Sequence, residues 1–302
     1  MNAFYRRLSR YSTQFMVLLV SFTLCGAVNA NTECDPAQDT CREVGEWSIG
    51  LSVGLGYRSN PLLDGDDIPL ILLPSISYYG DSFFVDNLDV GYTLIDTESS
   101  MLNLLITPSF DRVLFEQWDI SNILVDLSSS PSFTTPNPGD SIAGGSEGAA
   151  FTEILSSELK KREFSILGGI EYSTPLNDGQ LQFNVLKDIS DVHSGSEIRL
   201  AYAYPFANSG LNATFGLTWK DKSMTDYYYG VDQDEVVDDR GYYQAGASLN
   251  PFIRLSWQQQ NVHTSTWRFV FEYQKLDSEI ADSPIVDKDH ILTLFIGKQF
   301  SF

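Results

Sequence analysis

From Trp47 to Tyr57 the chain reads WSIGLSVGLGY, with large apolar side chains at every second position (Trp47, Ile49, Leu51, Val53, Leu55, Tyr57) and only Ser or Gly between them. A period of two puts all of these on one face of a β-strand and leaves the other face small and polar. The pattern returns at the C-terminus, HILTLFIGKQFSF, where Leu292, Leu294, Ile296, Phe300 and Phe302 share a face. Half-buried sheets of water-soluble sandwiches alternate in the same way, so context has to say what the apolar face touches.

The first context is where the aromatic residues fall. Segment 196–206 sets Ile198, Leu200, Tyr202, Tyr204 and Phe206 against Glu197, Arg199, Ala201 and Ala203; segments 163–173, 180–187, 211–219, 242–257 and 266–275 alternate likewise. Trp47, Tyr57, Tyr172, Phe206, Trp219, Tyr243, Trp257, Trp267, Tyr273 and Phe302 lie toward the ends of the apolar faces. The two interfaces of a bilayer favour aromatic rings at those levels, whereas a soluble sandwich has no reason to place them there.

The second context is the alternation of connections. Counted back from Phe302 they run 276–288 long, 259–264 short, 221–240 long, 207–210 short, 188–195 medium and 174–179 short. Bacterial outer-membrane barrels have short periplasmic turns, longer outer loops and an even strand number. Before these segments lie strands at 47–57, 69–79, 82–95 and 101–112, with Leu102, Leu104, Ile106 and Phe110 on one face of the last. The long stretch 129–162 fits the alternation only with one more strand at about 117–128, where Ile123, Val125 and Leu127 alternate with polar residues. The expected fold is therefore all-β, an antiparallel transmembrane β-barrel of about 12 strands over residues 45–302, with ten as the alternative count. Each unpaired backbone group in hydrocarbon costs several kcal/mol, so the first strand must close on the last. Pro74, Pro108 and Pro251 fall inside strands and predict bulges. Lys298 lies on the outward face of the last strand, which predicts that it snorkels.

Residues 1–30 carry Arg6, Arg7 and Arg10, then an apolar run from Phe15 to Val28, then small residues up to Ala30. This is the pattern of a secretory signal peptide cut near Ala30, too short to span a bilayer comfortably. Cys25 lies within it, after a poor lipoprotein cleavage box. Residues 31–44 are then a periplasmic N-terminal segment holding Cys34 and Cys41, which an oxidising compartment would join in a disulfide closing a small loop. Two cysteines without nearby histidine supply half of the usual zinc ligand set, so no metal site is assigned.

The full chain has a formal net charge of −21, and loses three arginines with the leader. That balance opposes nucleic-acid binding, which needs basic footprints, and suits surroundings rich in divalent cations. After the leader no apolar run is long enough for a transmembrane helix, while a barrel hides its apolar surface in alternation.

On this topology His193 and His290 lie at the outer end and His263 in a periplasmic turn, so no Ser-His-Asp arrangement is legible and the chain reads as a non-enzyme without cofactor. Glu171, Glu197, Arg199, Arg254, Arg268 and Glu272 face inward as lumen charges, either bridging strands as ion pairs or lining a pore eyelet. The connection 221–240 gathers Asp226, Asp232, Asp234, Glu235, Asp238 and Asp239 beside Tyr227, Tyr228 and Tyr229. It reads as a solvated loop or as carboxylates sharing Ca²⁺ or Mg²⁺ with lipopolysaccharide phosphates. Asp64-Gly65-Asp66-Asp67 lacks the spacing of a calcium loop and is read as a turn. Gly297, Phe300 and Phe302 form the C-terminal signal expected by the barrel assembly machinery.

Several stretches resemble the MipA/OmpV family of outer-membrane proteins: GLGYRSNPLLDGDDIPLILLPSISYYGDSFFVDN at 54–87, KDISDVHSGSEIRLAYAYP at 187–205, MTDYYYGV at 224–231, LDSEIADSPIV at 276–286, and the terminal strand. The resemblance implies an outer-membrane barrel. In some members it implies a scaffold joining a lytic transglycosylase to a murein polymerase, in others an adhesin or a route for antibiotic entry. The Ser/Pro/Gly insert at 129–149 departs from the family pattern. The leading functional expectation is a scaffold docking peptidoglycan-processing enzymes at its periplasmic face; a small-solute pore and a surface adhesin are the alternatives. Outer-membrane lipid and lipopolysaccharide are the expected surroundings.

Overall fold

The computed structural model describes residues 44–115, 159–236, 241–259 and 265–302. Twelve strands form one closed antiparallel barrel: β1 (Trp47–Arg58), β2 (Ile68–Tyr79), β3 (Phe83–Asp86), β4 (Asp89–Thr97), β5 (Ser100–Pro108), β6 (Ile166–Leu176), β7 (Gly179–Asp188), β8 (Ser196–Phe206), β9 (Leu211–Lys220), β10 (Ser248–Gln258), β11 (Thr266–Lys275) and β12 (His290–Ser301). Closure is between β1 and β12, from Gly50↔Ser301 to Arg58↔Thr293. The terminal Phe302 N–H donates to Ile49 O at 2.9 Å, so the chain end is tied to the seam. Among the described residues no helix is long and apolar enough to cross a membrane.

The parity read from sequence holds along the wall. In β8 Glu197, Ala201 and Ala203 are buried inward, while Leu200 and Phe206 are exposed outward. Trp47, Tyr172, Trp267 and Tyr273 are likewise exposed near strand ends, where bilayer interfaces would meet them. Lys298 points outward with its Nζ 5.4 Å from the centre of the Trp267 ring, so a cation–π contact at the short-turn end accompanies its position.

Four expectations are corrected. The stretch 82–95 is not one strand but β3 and β4, reversed at Asn87 with φ 54. Asn tolerates the left-handed region, and its side chain accepts from Ile76 N–H at 3.1 Å, anchoring the reversal to β2. The strand expected at 117–128 lies outside the described residues, and β5 pairs directly with β6 from Met101↔Ser173 to Pro108↔Ile166, leaving no place in the wall between them. The strand expected over 242–257 begins at Ser248; Tyr243 instead bridges Val231 and donates its hydroxyl to Glu279 O at 3.2 Å, so it is no belt aromatic. The strand expected over 101–112 stops at Pro108, and Phe110 turns in to line the lumen.

The prolines do not mark bulges. Register shifts fall at Val53/Gly56 and Thr93/Ile95, away from all three. Each proline sits where pairing exists on one side only. β2 pairs with β3 only through Ser77–Tyr79, short of Pro74; β4–β5 pairing ends at Ile106, short of Pro108; β10–β11 pairing starts at Phe252, past Pro251. A missing N–H costs nothing where no acceptor strand stands opposite.

The inward face is not polar throughout. Leu62, Leu105, Leu167, Leu186, Tyr228, Tyr229, Leu276, Ile280, Ile285 and Ile291 belong to one buried apolar cluster. It lies at the end of the barrel carrying the long connections, the outer end by the general rule for such barrels.

Candidate functional site

That cluster is the core of a plug built from the outer connections. A 3₁₀ turn (Asp111–Leu114), α1 (Lys222–Tyr229) and α2 (Ser278–Ala281) fold into the barrel mouth. Asp221 caps α1, its Oδ1 accepting from Met224 N–H at 3.0 Å, while its Oδ2 accepts from Ser196 N–H of β8 at 2.8 Å. One short carboxylate thereby fixes the helix and its angle to the wall. Met224 and Tyr228 are fully buried beneath it. Asn60 donates to Leu114 O at 2.7 Å and Ser283 donates to Tyr229 O at 2.6 Å, tying the other connections to the same core. At its base Asp111 accepts from Lys220 Nζ and, at 2.8 Å, from the Tyr229 hydroxyl.

Below the plug the lumen holds a cavity of about 450 Å³ with mixed polar and apolar walls, reaching from Leu114 and Tyr229 under the plug to Val44, Gly80 and Asp81 at the short-turn end. Glu171, Glu197, Arg199, Arg254 and Glu272 line this cavity, and their partners differ. Arg254 of β10 pairs with Glu272 of β11, directly opposite in register. Arg199 pairs with Glu197 two residues along β8. Arg268 lies on the inward face of β11 opposite Gln258. Glu171 differs: among the described residues it takes no cation but three amides, Asn103 Nδ2 at 2.9 Å, Asn184 Nδ2 at 3.0 Å and Gln182 Nε2.

One arrangement escaped sequence reading. Ser165, His193 and Asp188 lie together, with His193 Nε2 3.0 Å from Ser165 Oγ and Nδ1 3.9 Å from Asp188 Oδ2. The wiring does not generate a nucleophile. Gly195 N–H donates to Nδ1 at 3.0 Å, which puts the ring proton on Nε2 and makes the ring a donor to Ser165. Asp188 is occupied by the N–H groups of Ser190, His193 and Ser194. The three residues are fastenings of the loop 189–195, not a base chain toward a hydroxyl.

Burial holds the His193 imidazole below its ordinary value, against the opposing pull of Asp188, Asp111, Asp221 and Glu197. An unfolded loop takes up a proton that the folded one refuses, so the fastening is at full strength above about pH 6.5 and weakens as pH falls below it. Hydrogen exchange at the Gly195 amide, corrected for intrinsic rate, is expected to accelerate between about pH 7.5 and about pH 5.5. In a His193→Gln protein that acceleration should disappear. An unchanged wild-type amide over the same interval contradicts this account.

In the acidic connection, Asp234 binds Lys160 at 2.7 Å and Glu235 binds Arg162 at 2.9 Å, with both Arg162 and Glu235 side chains buried. Asp226 accepts from Ala245 N–H at 2.8 Å and burial raises its carboxyl. Asp232 lies within 3.8 Å of Lys160. Asp232, Asp234 and Glu235 are thus held by the basic residues Lys160 and Arg162. Among the described residues no group of three or more His, Cys, Asp or Glu is placed to hold a metal ion. Asp238, Asp239, Cys34 and Cys41 lie outside the described residues. Gly297 pairs with Gly54 and Phe300 with Leu51 in the closing seam, with Phe300 exposed outward.

The MltA-interacting protein of Escherichia coli strain K12 is 25% identical over 262 residues, covering 85% of this chain and 91% of that one. The putative outer membrane protein YiaT of Escherichia coli O157:H7 is 23% identical, with 85% and 91% covered. The outer membrane protein OmpV of Vibrio cholerae is 25% identical, covering 80% of this chain and 81% of that one. With the closed barrel, these place the protein in the outer membrane. Residues 49–302 match the family model described as MltA-interacting protein MipA, and the chain belongs to that family.

Proposed function

We propose that this barrel is a non-catalytic envelope scaffold that docks a lytic transglycosylase, and through it a peptidoglycan-synthesising partner, at its periplasmic face. The observation that carries this reading is the plug. A packed apolar core with a buried Asp111–Lys220 pair occupies the outer mouth, so what the molecule offers is its other end. There the surfaces are the turns at Gly80, Asn177 and Ala207 and the segment leading into β1. A relative named as an MltA-interacting protein supports the class of partner.

The test is co-purification of lytic transglycosylases with the full barrel and with a barrel lacking residues 31–44, the periplasmic segment expected from sequence. Capture by the full chain and its loss on deletion is the expected result; unchanged capture removes the segment from the docking surface, and no capture by either removes the scaffold reading. The cavity within the lumen favours a second reading, a small-solute conduit. Planar-bilayer recording separates the two: a scaffold shows no sustained openings, whereas steady single-channel conductance from the wild-type protein establishes the conduit.

A further inference from the structure

We propose that the lumen is a binding site for a small zwitterion of dipeptide size, whose ammonium group sits against Glu171 and whose carboxylate is held by Arg58. The inference is independent of the scaffold reading, since a scaffold and a conduit both leave the cavity in place.

The first half of the site is an acceptor-rich patch. An ionised carboxylate only accepts, so the three amides around Glu171 must turn their NH₂ groups toward it. Their carbonyl oxygens are thereby forced the other way. Asn103 is 3% exposed, yet its Oδ1 has no partner, and neither has the buried Gln182 Oε1. A negative charge with no cation among the described residues, rimmed by acceptors without donors, is complementary to a group that is positively charged and only donates. A primary ammonium has that character, with three donors and no acceptor.

The second half is a guanidinium that makes no direct ion pair among the described residues, because Glu272 and Asp111, the acids whose charge reaches it, are held by Arg254 and Lys220. Lys220, Arg199 and Arg162 each face a carboxylate, and Glu272 is taken by Arg254. Among the described residues Arg58 makes no ion pair, and its buried Nε has no partner. A planar guanidinium fork fits a carboxylate in bidentate fashion. Around the ring, β1 stands opposite β7, six places away in either direction, and Glu171 sits on β6 beside it. The two charges therefore face each other across the lumen instead of neutralising one another along a wall.

Both groups line the same cavity of about 450 Å³, with Phe84, Phe110 and Phe252 lining it as well. Ligand pockets span roughly 300–1,000 Å³ and combine apolar walls with a few convergent polar groups. A bare metal cation leaves Arg58 unused, and a simple anion meets Glu171. A molecule carrying both charges satisfies both ends.

The experiment uses the full-length barrel in detergent micelles and three probes: alanyl-alanine, its N-acetylated form and its C-terminal amide. Isothermal titration is expected to show binding of the dipeptide, with each blocked form weaker by about tenfold or more, the scale of one lost charge-assisted contact. Glu171→Gln should weaken the dipeptide without changing the N-acetylated probe. Arg58→Gln should weaken it without changing the amide. Absence of dipeptide binding, or equal affinity for the three probes, overturns the proposal. If either variant fails to assemble, the three probes on the wild-type protein decide it alone.

Discussion

Gly54→Val is expected to abolish barrel closure, seen as loss of the heat-modifiable gel mobility of a folded barrel. Gly54 and Gly297 face each other across the β1–β12 seam. A Cβ at Gly54 would lie 2.2 Å from Ile296 O and 2.5 Å from Gly297 Cα, both main-chain atoms of the partner strand. No rotamer change relieves such a contact, so the strands must separate. Separation exposes N–H and C=O groups within hydrocarbon, where each unpaired group costs several kcal/mol. Ordinary overpacking of a core costs about 1–3 kcal/mol, because side chains can shift; here the neighbour is backbone and the penalty multiplies along the seam. Gly168→Ala is the control, since its Cβ meets only Ile189 side-chain carbons, at 3.0 Å. A Gly54→Val protein with wild-type mobility and thermal stability refutes the argument.

Closure, strand parity and location were legible because lipid imposes one rule on every outward position. β8 shows this best: the sequence expectation of 196–206 and the observed Ser196–Phe206 coincide, since large apolar and small or charged residues alternate there without interruption. The rule says less about turns. In FFVDNLDVGYTLID the outward set switches from Phe83 and Val85 to Val90 and Tyr92 across the reversal at Asn87, but the apolar Phe84 and Leu88 between them carry an even-numbered pattern through and mask the switch. The rule says nothing about what fills the interior. Leu105, Leu167 and Leu186 sit inward among outward apolar neighbours, so both faces are apolar there and alternation fades just where the plug core lies.

The lumen charges were found by parity, but their partners depend on register. Arg254 meets Glu272 because of how β10 and β11 align, which spacing in the chain does not reveal. Arg58, Asn103 and Gln182 were missed for a related reason: each is one polar residue on an inward face full of them, and only the folded barrel shows which polar atoms are left without a partner. Asp111, Lys220 and Tyr229 were missed because no local motif joins residues 109 and 118 positions apart.

That last group carries the second large effect. Lys220→Met should unlock the plug while leaving the wall intact. Asp111 and Lys220 are 5% and 8% exposed, so the carboxylate left behind would stay buried with only the Tyr229 hydroxyl at 2.8 Å and Ser109 Oγ at 3.4 Å. Removing one partner of a buried pair costs about 3–5 kcal/mol, enough to expel the 3₁₀ turn from the mouth. Lys220 is the last residue of β9, so the ladders to β8 and β10 lose nothing below it. The expected readouts are faster hydrogen exchange in the outer connections, ionic current across a planar bilayer, and unchanged heat-modifiable mobility. Replacing both partners, Asp111→Asn with Lys220→Met, should restore most of the seal, because no uncompensated charge remains. Tyr229→Phe, which removes one hydrogen bond and keeps the pair, should cost about 1 kcal/mol and leave the mouth closed. Acid should imitate Lys220→Met. Burial pushes the Asp111 carboxyl up, but the Lys220 charge and the hydrogen bonds from Lys220 and Tyr229 outweigh it and hold the group below the usual range. Its contribution is therefore complete above about pH 3.9 and is lost only as pH falls through the lower folded value. Equal current through Lys220→Met and the double variant would show that lost volume, and not the stranded carboxylate, opens the mouth.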